Sequence, residues 1–222
     1  RDEFLIAIGI LIVSTMIMWA MAKTLLITPL AQSQRQLQFY TGVEWERNRR
    51  GAHGAAGAMA SVSGDRKSGI SFGRVIHTRF TICSISRYTG ATRGRILTGG
   101  DLNWLHGHHN GHAGVAFYEG WATAQDNNAH MASEEDWVVL CGTNLVGAGT
   151  ELLHSTSTDS TVDVVADPTS VAMGGTELCV HCATTEYSDW AVAEVITWDR
   201  QLSATELQSA HQYLVGVLAA CQ

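Results

Sequence analysis

An uncharged apolar run near the start most constrains how this chain can fold. Residues 4–22 read FLIAIGILIVSTMIMWAMA, nineteen positions in which only Ser14 and Thr15 are polar. At about 1.5 Å per helical residue, such a run reaches about 28 Å, close to the roughly 30 Å hydrocarbon core of a bilayer. The apolar region of a signal peptide is shorter. The run therefore predicts a transmembrane helix within residues 1–31, ended by Pro29.

The predicted helix is expected to bind lipid and the membrane subunits of a larger complex. The docking positions we assign to it are Phe4, Ile8, Leu11, Met18 and Trp19. It contains no histidine, so ligation of haem or chlorophyll is not expected, and only peripheral lipid or pigment contacts fit. A start at Arg1 rather than Met suggests processing after import. This favours a thylakoid or mitochondrial inner membrane over the plasma membrane, whereas the few basic residues leave the orientation open.

The charges are divided unevenly along the chain. Residues 1–100 contain thirteen basic and five acidic residues, and residues 101–222 contain one basic and sixteen acidic residues. Either early and late strands neutralise each other within one domain, or an acidic face meets a basic or metal-bearing partner. Scattered basic residues and an acidic second half argue against nucleic-acid binding.

The rest of the chain reads as strands and turns. Residues 32–69 are interpreted as a linker and loop-rich segment, and residues 70–222 as one all-β domain. Alternating or β-prone runs predict strands, and turn residues recur between them. The predicted strands lie near residues 79–85, 95–97, 115–118, 137–141, 161–165, 178–182 and 190–198. Ser203 and Glu206 form a capping-box pattern that predicts a helix from about residue 204 to 218.

The order of these features resembles the laminin-G-like domains of the concanavalin A-like lectin/glucanase superfamily. The residues that carry the resemblance are Glu194 in a β-prone run, the turn Asp199-Arg200-Gln201-Leu202, Ser203, and Tyr213-Leu214 in the final helix. It covers roughly residues 70–218. The resemblance implies a jelly-roll sandwich of two antiparallel sheets. It implies little about activity, because this fold carries lectins, hydrolases and adhesion modules.

A catalytic role is not predicted. Hydrolases of this superfamily place two or three alternating carboxylates on one strand. Here Ser133-Glu134-Glu135-Asp136 has adjacent acids that point to opposite faces. Glu194 lies between Val192 and Ile196 at i±2 and is interpreted as a structural hydrogen-bonding group. We expect a non-enzyme.

A histidine-rich stretch is the most conspicuous local feature. Asn110-Gly111 predicts a tight hairpin turn that sends His108 and His109 to opposite sides. Structural, metal-binding and partner-binding roles all fit the stretch. The candidate ligand or partner residues are Trp104, His106, His108, His109, His112 and Trp121, where the two tryptophans are either sugar-stacking or core residues.

No metal or cofactor is required by these patterns. The candidate metal ligands are His106, His108, Asp101 and Asn103, and Asp101, Asn103 and residues 126–128 offer oxygens of the kind that bind calcium. Cys179 and Cys182 have CxxC spacing without a second zinc pair, so we expect buried or loop thiols. Disulfides stay open, and five cysteines leave at least one unpaired.

Three functions follow from these observations. The first is a non-catalytic accessory or scaffolding subunit of a photosynthetic or respiratory membrane complex. The second is a membrane-tethered carbohydrate-binding module, with a glycan as its partner. The third is a degenerate glycan hydrolase.

Overall fold

The structure is a computed structural model. It describes residues 6–7, 38–39, 42–47, 52–126, 135–144, 150–155, 160–165, 173–182 and 185–220, with the backbone alone for 6–7, 38–39, 150–155 and 160–165. The docking positions Phe4, Ile8, Leu11, Met18 and Trp19 lie outside these residues. From the predicted span, Ile6–Ala7 is described, as a two-residue strand. Within the described parts of the chain, no helix combines the length and hydropathy needed to cross a bilayer.

The described chain is almost entirely β-structure with one C-terminal helix. A single 3₁₀ turn covers Ala52–Gly54, and the helix α1 covers Ala204–Ala220. The strands are β1 (Ile6–Ala7), β2 (Gln38–Phe39), β3 (Glu44–Arg47), β4 (Ala60–Gly64), β5 (Ile70–Ile76), β6 (Thr81–Arg93), β7 (Leu97–Gly99), β8 (Trp104–His109), β9 (His112–Tyr118), β10 (Val138–Thr143), β11 (Thr150–Ser155), β12 (Ser160–Val165), β13 (Thr176–Val180) and β14 (Ser188–Trp198).

These strands form two antiparallel sheets. The larger sheet has the order β12-β11-β10-β6-β14-β4-β3, with β1 also beside β14, and the smaller has the order β2-β5-β13-β7-β8-β9. The predicted all-β sandwich with a C-terminal helix is confirmed. The strands β3 and β4 lie before residue 70 and extend the larger sheet through the pairing of β4 with β14. Short strands with few apolar residues carry little hydrophobic periodicity and resemble loops in sequence.

The strand β14 is apolar on both sides because both of its faces are buried. Trp190, Val192 and Val195 join the core between the sheets, whereas Ala191, Ala193, Ile196 and Trp198 join a second core on the outer face of the larger sheet. A β-bulge between Val192 and Glu194 changes the side on which successive side chains lie.

The second core is closed by α1. Leu207, Leu214 and Leu218 pack there with Trp137 on the outer face of the larger sheet. The predicted capping box begins the helix: the Ser203 N–H donates to Glu206 Oε2 at 2.8 Å, and the Glu206 N–H donates to Ser203 Oγ at 3.4 Å. Arg200 donates to both Glu206 oxygens, at 3.1 and 2.9 Å. These hydrogen bonds, with Arg200 as the largest cause, lower the pKa of Glu206 to about 2.

Two disulfides settle what the sequence left open for four of the cysteines. Cys83 in β6 and Cys141 in β10 lie opposite each other in register and are bonded. Cys179 and Cys182 are also bonded, so the expectation of free thiols in the CxxC segment is wrong. Cys221 lies outside the described residues.

Candidate functional site

The histidine-rich stretch forms the hairpin of β8 and β9. His109 pairs with His112 across Asn110 and Gly111, which have φ angles of 49° and 84°. Two successive positive φ values are the signature of the tight hairpin turn that Asn-Gly favours. His108 points between the sheets and His109 points out, as predicted.

Three of the candidate ligand or partner residues lie inside the sandwich, which fits the structural alternative for them. Trp104, His106 and His108 are completely buried. His106 Nε2 donates to the Leu140 carbonyl of the opposite sheet at 3.1 Å, so its Nδ1 accepts from the Tyr118 hydroxyl at 2.7 Å. His106 therefore ties the two sheets together. The strand alternation that puts Trp104 in the core carries His106 and His108 with it.

Burial also fixes the charge of these two rings. Desolvation lowers the pKa of His106 to about 4 and that of His108 to about 3, the latter also lowered by His106. His108 Nδ1 is 3.3 Å from Ser86 Oγ, and its Nε2 has no hydrogen-bond partner among the described residues. Both rings are neutral at pH 7 and belong to the core.

The predicted metal ligands are not brought together. Asp101 lies at the surface, where it pairs with Arg74 and accepts from the Thr176 hydroxyl. That hydroxyl is the largest cause of the lowered pKa of Asp101. His106 and His108 face the interior instead. Over the described ranges, no group of three or more His, Cys, Asp or Glu side chains is arranged to hold a metal.

Glu194 forms none of the hydrogen bonds expected of it. Its side chain is largely buried, and it accepts no hydrogen bond from the described residues. Burial raises its pKa to about 7. Because of the bulge, Val192 and Ile196, its neighbours at i±2, belong to different cores.

The remaining candidates, His109 and Trp121, meet on the outer side of the smaller sheet. After β9 the chain reverses through Glu119, which has a φ of 63°, and a bridge pairs Trp121 with Phe117. The Trp121 ring packs edge-on against Phe117 at 5.1 Å and lies 5.8 Å from the His109 ring. The ring remains partly exposed. His112 lies beside His109 in the hairpin.

Charged and amide groups form a chain of contacts that begins at His109. His109 Nε2 lies 3.0 Å from Glu186 Oε1, and Glu186 Oε2 forms an ion pair of 2.6 Å with Arg95 Nε. Arg95 also donates to Asn103 Oδ1 at 2.7 Å, and the Asn103 N–H donates to Glu119 Oε1 at 2.7 Å. We call this set, Trp121, His109, Glu186, Arg95, Asn103 and Glu119, the Trp121 surface.

The Trp121 surface retains polar groups that no other described residue binds. Asn103 Nδ2, the second oxygen of Glu119 and Trp121 Nε1 form no hydrogen bond with the described residues. An amide donates two N–H groups, a carboxylate oxygen accepts, and an indole N–H donates. The surface can therefore offer one apolar face and both kinds of hydrogen-bonding group to a ligand.

Sequence reasoning found part of this surface. His109, Trp121 and Asn103 were candidates, although Asn103 was proposed for a metal. Arg95 and Glu186 were missed. Glu186 is 77 residues from His109 in sequence, and no local pattern connects them. Glu119, in a turn directly before Trp121, had a usable signal in the Glu-Gly-Trp sequence at the end of a strand.

No protein-family model and no curated protein sequence matches this chain. Several solved structures align with most of this chain at low sequence identity. The binding domain of Paraclostridial Mosquitocidal Protein 1 has a TM-score of 0.49 at 10% identity, over 80% of this chain and 47% of its own. A Trypanosoma rangeli sialidase mutant displaying trans-sialidase activity has a TM-score of 0.47 at 11% identity, over 83% of this chain and 30% of its own.

A third similar structure is domain 4 of AbnA, a GH43 extracellular arabinanase from Geobacillus stearothermophilus, in complex with arabinotriose. Its TM-score is 0.43 at 13% identity, over 77% of this chain and 88% of its own. The chain spans about half the length of the first structure and less than a third of the second. Similarity at this level says nothing about ligand or activity.

Proposed function

We propose that this protein is a non-catalytic carbohydrate-binding module and that the Trp121 surface binds the sugar. One observation carries the proposal: a partly exposed Trp121 ring lies 5.8 Å from the His109 ring, and His109 is linked through Glu186 and Arg95 to Asn103. A pyranose has an apolar C–H face and a rim of hydroxyl groups that both donate and accept. An aromatic face beside planar amide, guanidinium and carboxylate groups matches both features.

The arrangement favours binding over catalysis. The Glu186 carboxylate is paired with Arg95 and His109, and the Glu119 carboxylate accepts from the Asn103 backbone. A glycosidase needs one carboxyl group free to protonate the leaving oxygen and a second positioned to attack or to activate water. Both carboxylates here instead orient neighbouring side chains, which suits a preorganised binding surface.

The test is glycan-array binding of the full chain in mild detergent. We expect binding to a subset of glycans, weakened at least tenfold by Trp121→Ala, which corresponds to about 1.4 kcal/mol of binding free energy. Asn103→Ala should weaken it less, because one hydrogen-bonding group is lost. Tyr213→Ala is the matched control, since Tyr213 is an exposed aromatic on α1.

Two outcomes would contradict the proposal. One is a folded chain that binds no glycan on the array. The other is glycan binding that Trp121→Ala and Asn103→Ala leave unchanged. Trp104→Ala is not a useful probe of the surface, because Trp104 lies in the core and its loss would destabilise the fold.

The accessory-subunit function stays a prediction from residues 4–22. Those residues are apolar over a membrane length, and a helix there would hold the sandwich at a membrane surface. The prediction is compatible with a carbohydrate-binding sandwich. Its test is separate: cross-linking from Phe4, Leu11 or Trp19 in native membranes should capture stoichiometric protein partners.

A further inference from the structure

The two cysteines of the CxxC segment have different surroundings. Cys179 lies within β13 and is completely buried, and its Sγ lies 3.5 Å from the Thr98 carbonyl oxygen. Cys182 follows β13 and is partly exposed. Cys83 and Cys141, by contrast, are both completely buried between neighbouring strands of the larger sheet. Cys182 is therefore the member of this pair that is nearer to solvent.

We propose that the Cys179–Cys182 disulfide is a site of thiol–disulfide exchange with a dithiol, attacked at Cys182, and that its state controls the position of Glu186. A thiolate of the dithiol attacks Cys182 Sγ, the bond to Cys179 breaks, and Cys179 leaves as a thiolate that takes up a proton. The second thiol of the reagent then displaces Cys182. Two electrons and two protons pass to the protein, and the dithiol becomes a disulfide.

The reduced state has a hydrogen-bond acceptor in place. The Thr98 carbonyl oxygen, 3.5 Å from Cys179 Sγ, accepts the S–H that forms when Cys179 is protonated. Burying this thiol therefore leaves no polar group without a partner. The disulfide closes a turn of only two intervening residues, so opening it frees little of the chain.

His181 connects the disulfide to the Trp121 surface. It lies between the two cysteines with a φ of 61°, a left-handed conformation that is uncommon for a residue other than glycine. Its Nδ1 donates to the Ser68 carbonyl at 2.8 Å, and its Nε2 accepts from the Ser188 N–H at 2.9 Å. The disulfide helps to hold His181 in this conformation, and His181 holds the chain just after Glu186.

Glu186 depends on this backbone position. Its carbonyl accepts from the Arg95 N–H at 2.8 Å, and the Tyr187 carbonyl accepts from the Gly94 N–H at 2.9 Å. The Glu186 carboxylate then reaches both Arg95 and His109. If His181 leaves this conformation after reduction, the segment loses the hydrogen bond between the Ser188 N–H and His181 Nε2. The exchange reaction does not rest on the proposed carbohydrate function.

The first measurement is differential thiol labelling of the full chain with Cys221→Ser, which removes the fifth cysteine. The protein is treated with dithiothreitol under native conditions, alkylated, denatured, and alkylated again with a heavier reagent before mass spectrometry. We expect Cys182 to carry the first label, Cys179 to carry either label, and Cys83 and Cys141 to remain joined. Reduction of both disulfides together, or of neither before denaturation, would overturn the proposal.

The second measurement follows the histidine rings by NMR after selective reduction. The His109 resonances, assigned with His109→Gln, should shift when Glu186 moves. The His106 ring serves as the control, because it is held between the sheets by Leu140 and Tyr118 and should not shift. An unchanged His109 spectrum with Cys179–Cys182 fully reduced would overturn the link to Glu186. Neither readout uses a glycan, so a failure of the carbohydrate proposal would be seen separately.

Discussion

At the scale of single residues, the backbone conformation and the close packing at Gly107 favour glycine over other residues. It has a φ of 97°, and a Cβ placed there would lie 3.3 Å from Ser86 Oγ. This close approach sits beside His108, whose Nδ1 lies 3.3 Å from the same hydroxyl. The backbone of β8 can therefore lie this close to the Ser86 hydroxyl of β6 because residue 107 has no side chain.

Replacement of this glycine should cost stability. We expect Gly107→Ala to lower the free energy of unfolding by about 1–3 kcal/mol, from the strained conformation and the close contact. Gly216→Ala is the control, because Gly216 lies in α1 with nothing near its missing Cβ. That change should raise stability by about 1 kcal/mol, the helix preference for alanine. Urea unfolding measures both, and an equal effect of the two changes would contradict this account.

At the scale of elements, the two disulfides should contribute unequally. Cys83 and Cys141 are 58 residues apart, whereas Cys179 and Cys182 are 3 apart. A cross-link restricts the unfolded chain more when it closes a longer loop, which gives roughly 4 kcal/mol for the first and roughly 2 kcal/mol for the second. The first also joins the centres of β6 and β10.

This difference is measurable by urea unfolding under non-reducing conditions. We expect the Cys83→Ala/Cys141→Ala double variant to lose more stability than the Cys179→Ala/Cys182→Ala double variant, both on the Cys221→Ser background. The reverse order would mean that the shorter cross-link holds more of the native structure than its loop length implies.

At the scale of the whole molecule, ion pairs join the basic and the acidic half of the chain. Arg93 and Arg95 of the basic half form ion pairs with Glu135 at 3.5 Å and Glu186 at 2.6 Å, and Arg74 pairs with Asp101. Basic and acidic segments therefore meet within one sandwich. Surface pairs of this kind contribute little stability each. Their clearer effect is to orient side chains, as Arg95 does in the Trp121 surface.

The buried histidines and the buried glutamate make the stability of the fold depend on pH in opposite directions. The lowered pKa values of His106 and His108 mean that unfolding takes up protons below about pH 6.5, so stability falls as the pH falls. The raised pKa of Glu194 means that unfolding releases a proton between about pH 4.5 and 7, so stability falls as the pH rises. The proton uptake of the two histidines on unfolding is larger than the proton release of the one glutamate.

We therefore expect the free energy of unfolding to rise with pH near pH 5 by about 1.4 kcal/mol per pH unit, the value for one net proton, and more slowly toward pH 6.5, where the histidines of the unfolded chain are about half protonated. The lowered pKa of His181 acts in the same direction. Glu194→Gln removes the opposing group and should steepen the slope to about 2.7 kcal/mol per pH unit. Urea unfolding at several pH values measures both slopes. A flat or falling profile in the unchanged protein would contradict the burial of neutral histidines.

Much of the fold was predictable from short-range patterns. The alternation around β6, the apolar run of β14, the Asn110-Gly111 turn and the Ser203–Glu206 capping box each depend on neighbours within a few residues. Such local interactions act in the same way in any compact chain, so sequence alone sufficed for them. The edge strands β3 and β4 were missed because their sequences contain few apolar residues to alternate.

Sequence alone thus determined the two-sheet architecture and its capped helix, and it singled out residues 4–22 as membrane-length and apolar. Only the tertiary structure decided that Trp104, His106 and His108 face inward, that the four cysteines pair as they do, and that His109 meets both Trp121 and Glu186. The physical reason is that these outcomes depend on contacts between distant segments and on one extra residue in a bulge. The single residue added between Val192 and Glu194 changes which core each later side chain of β14 joins.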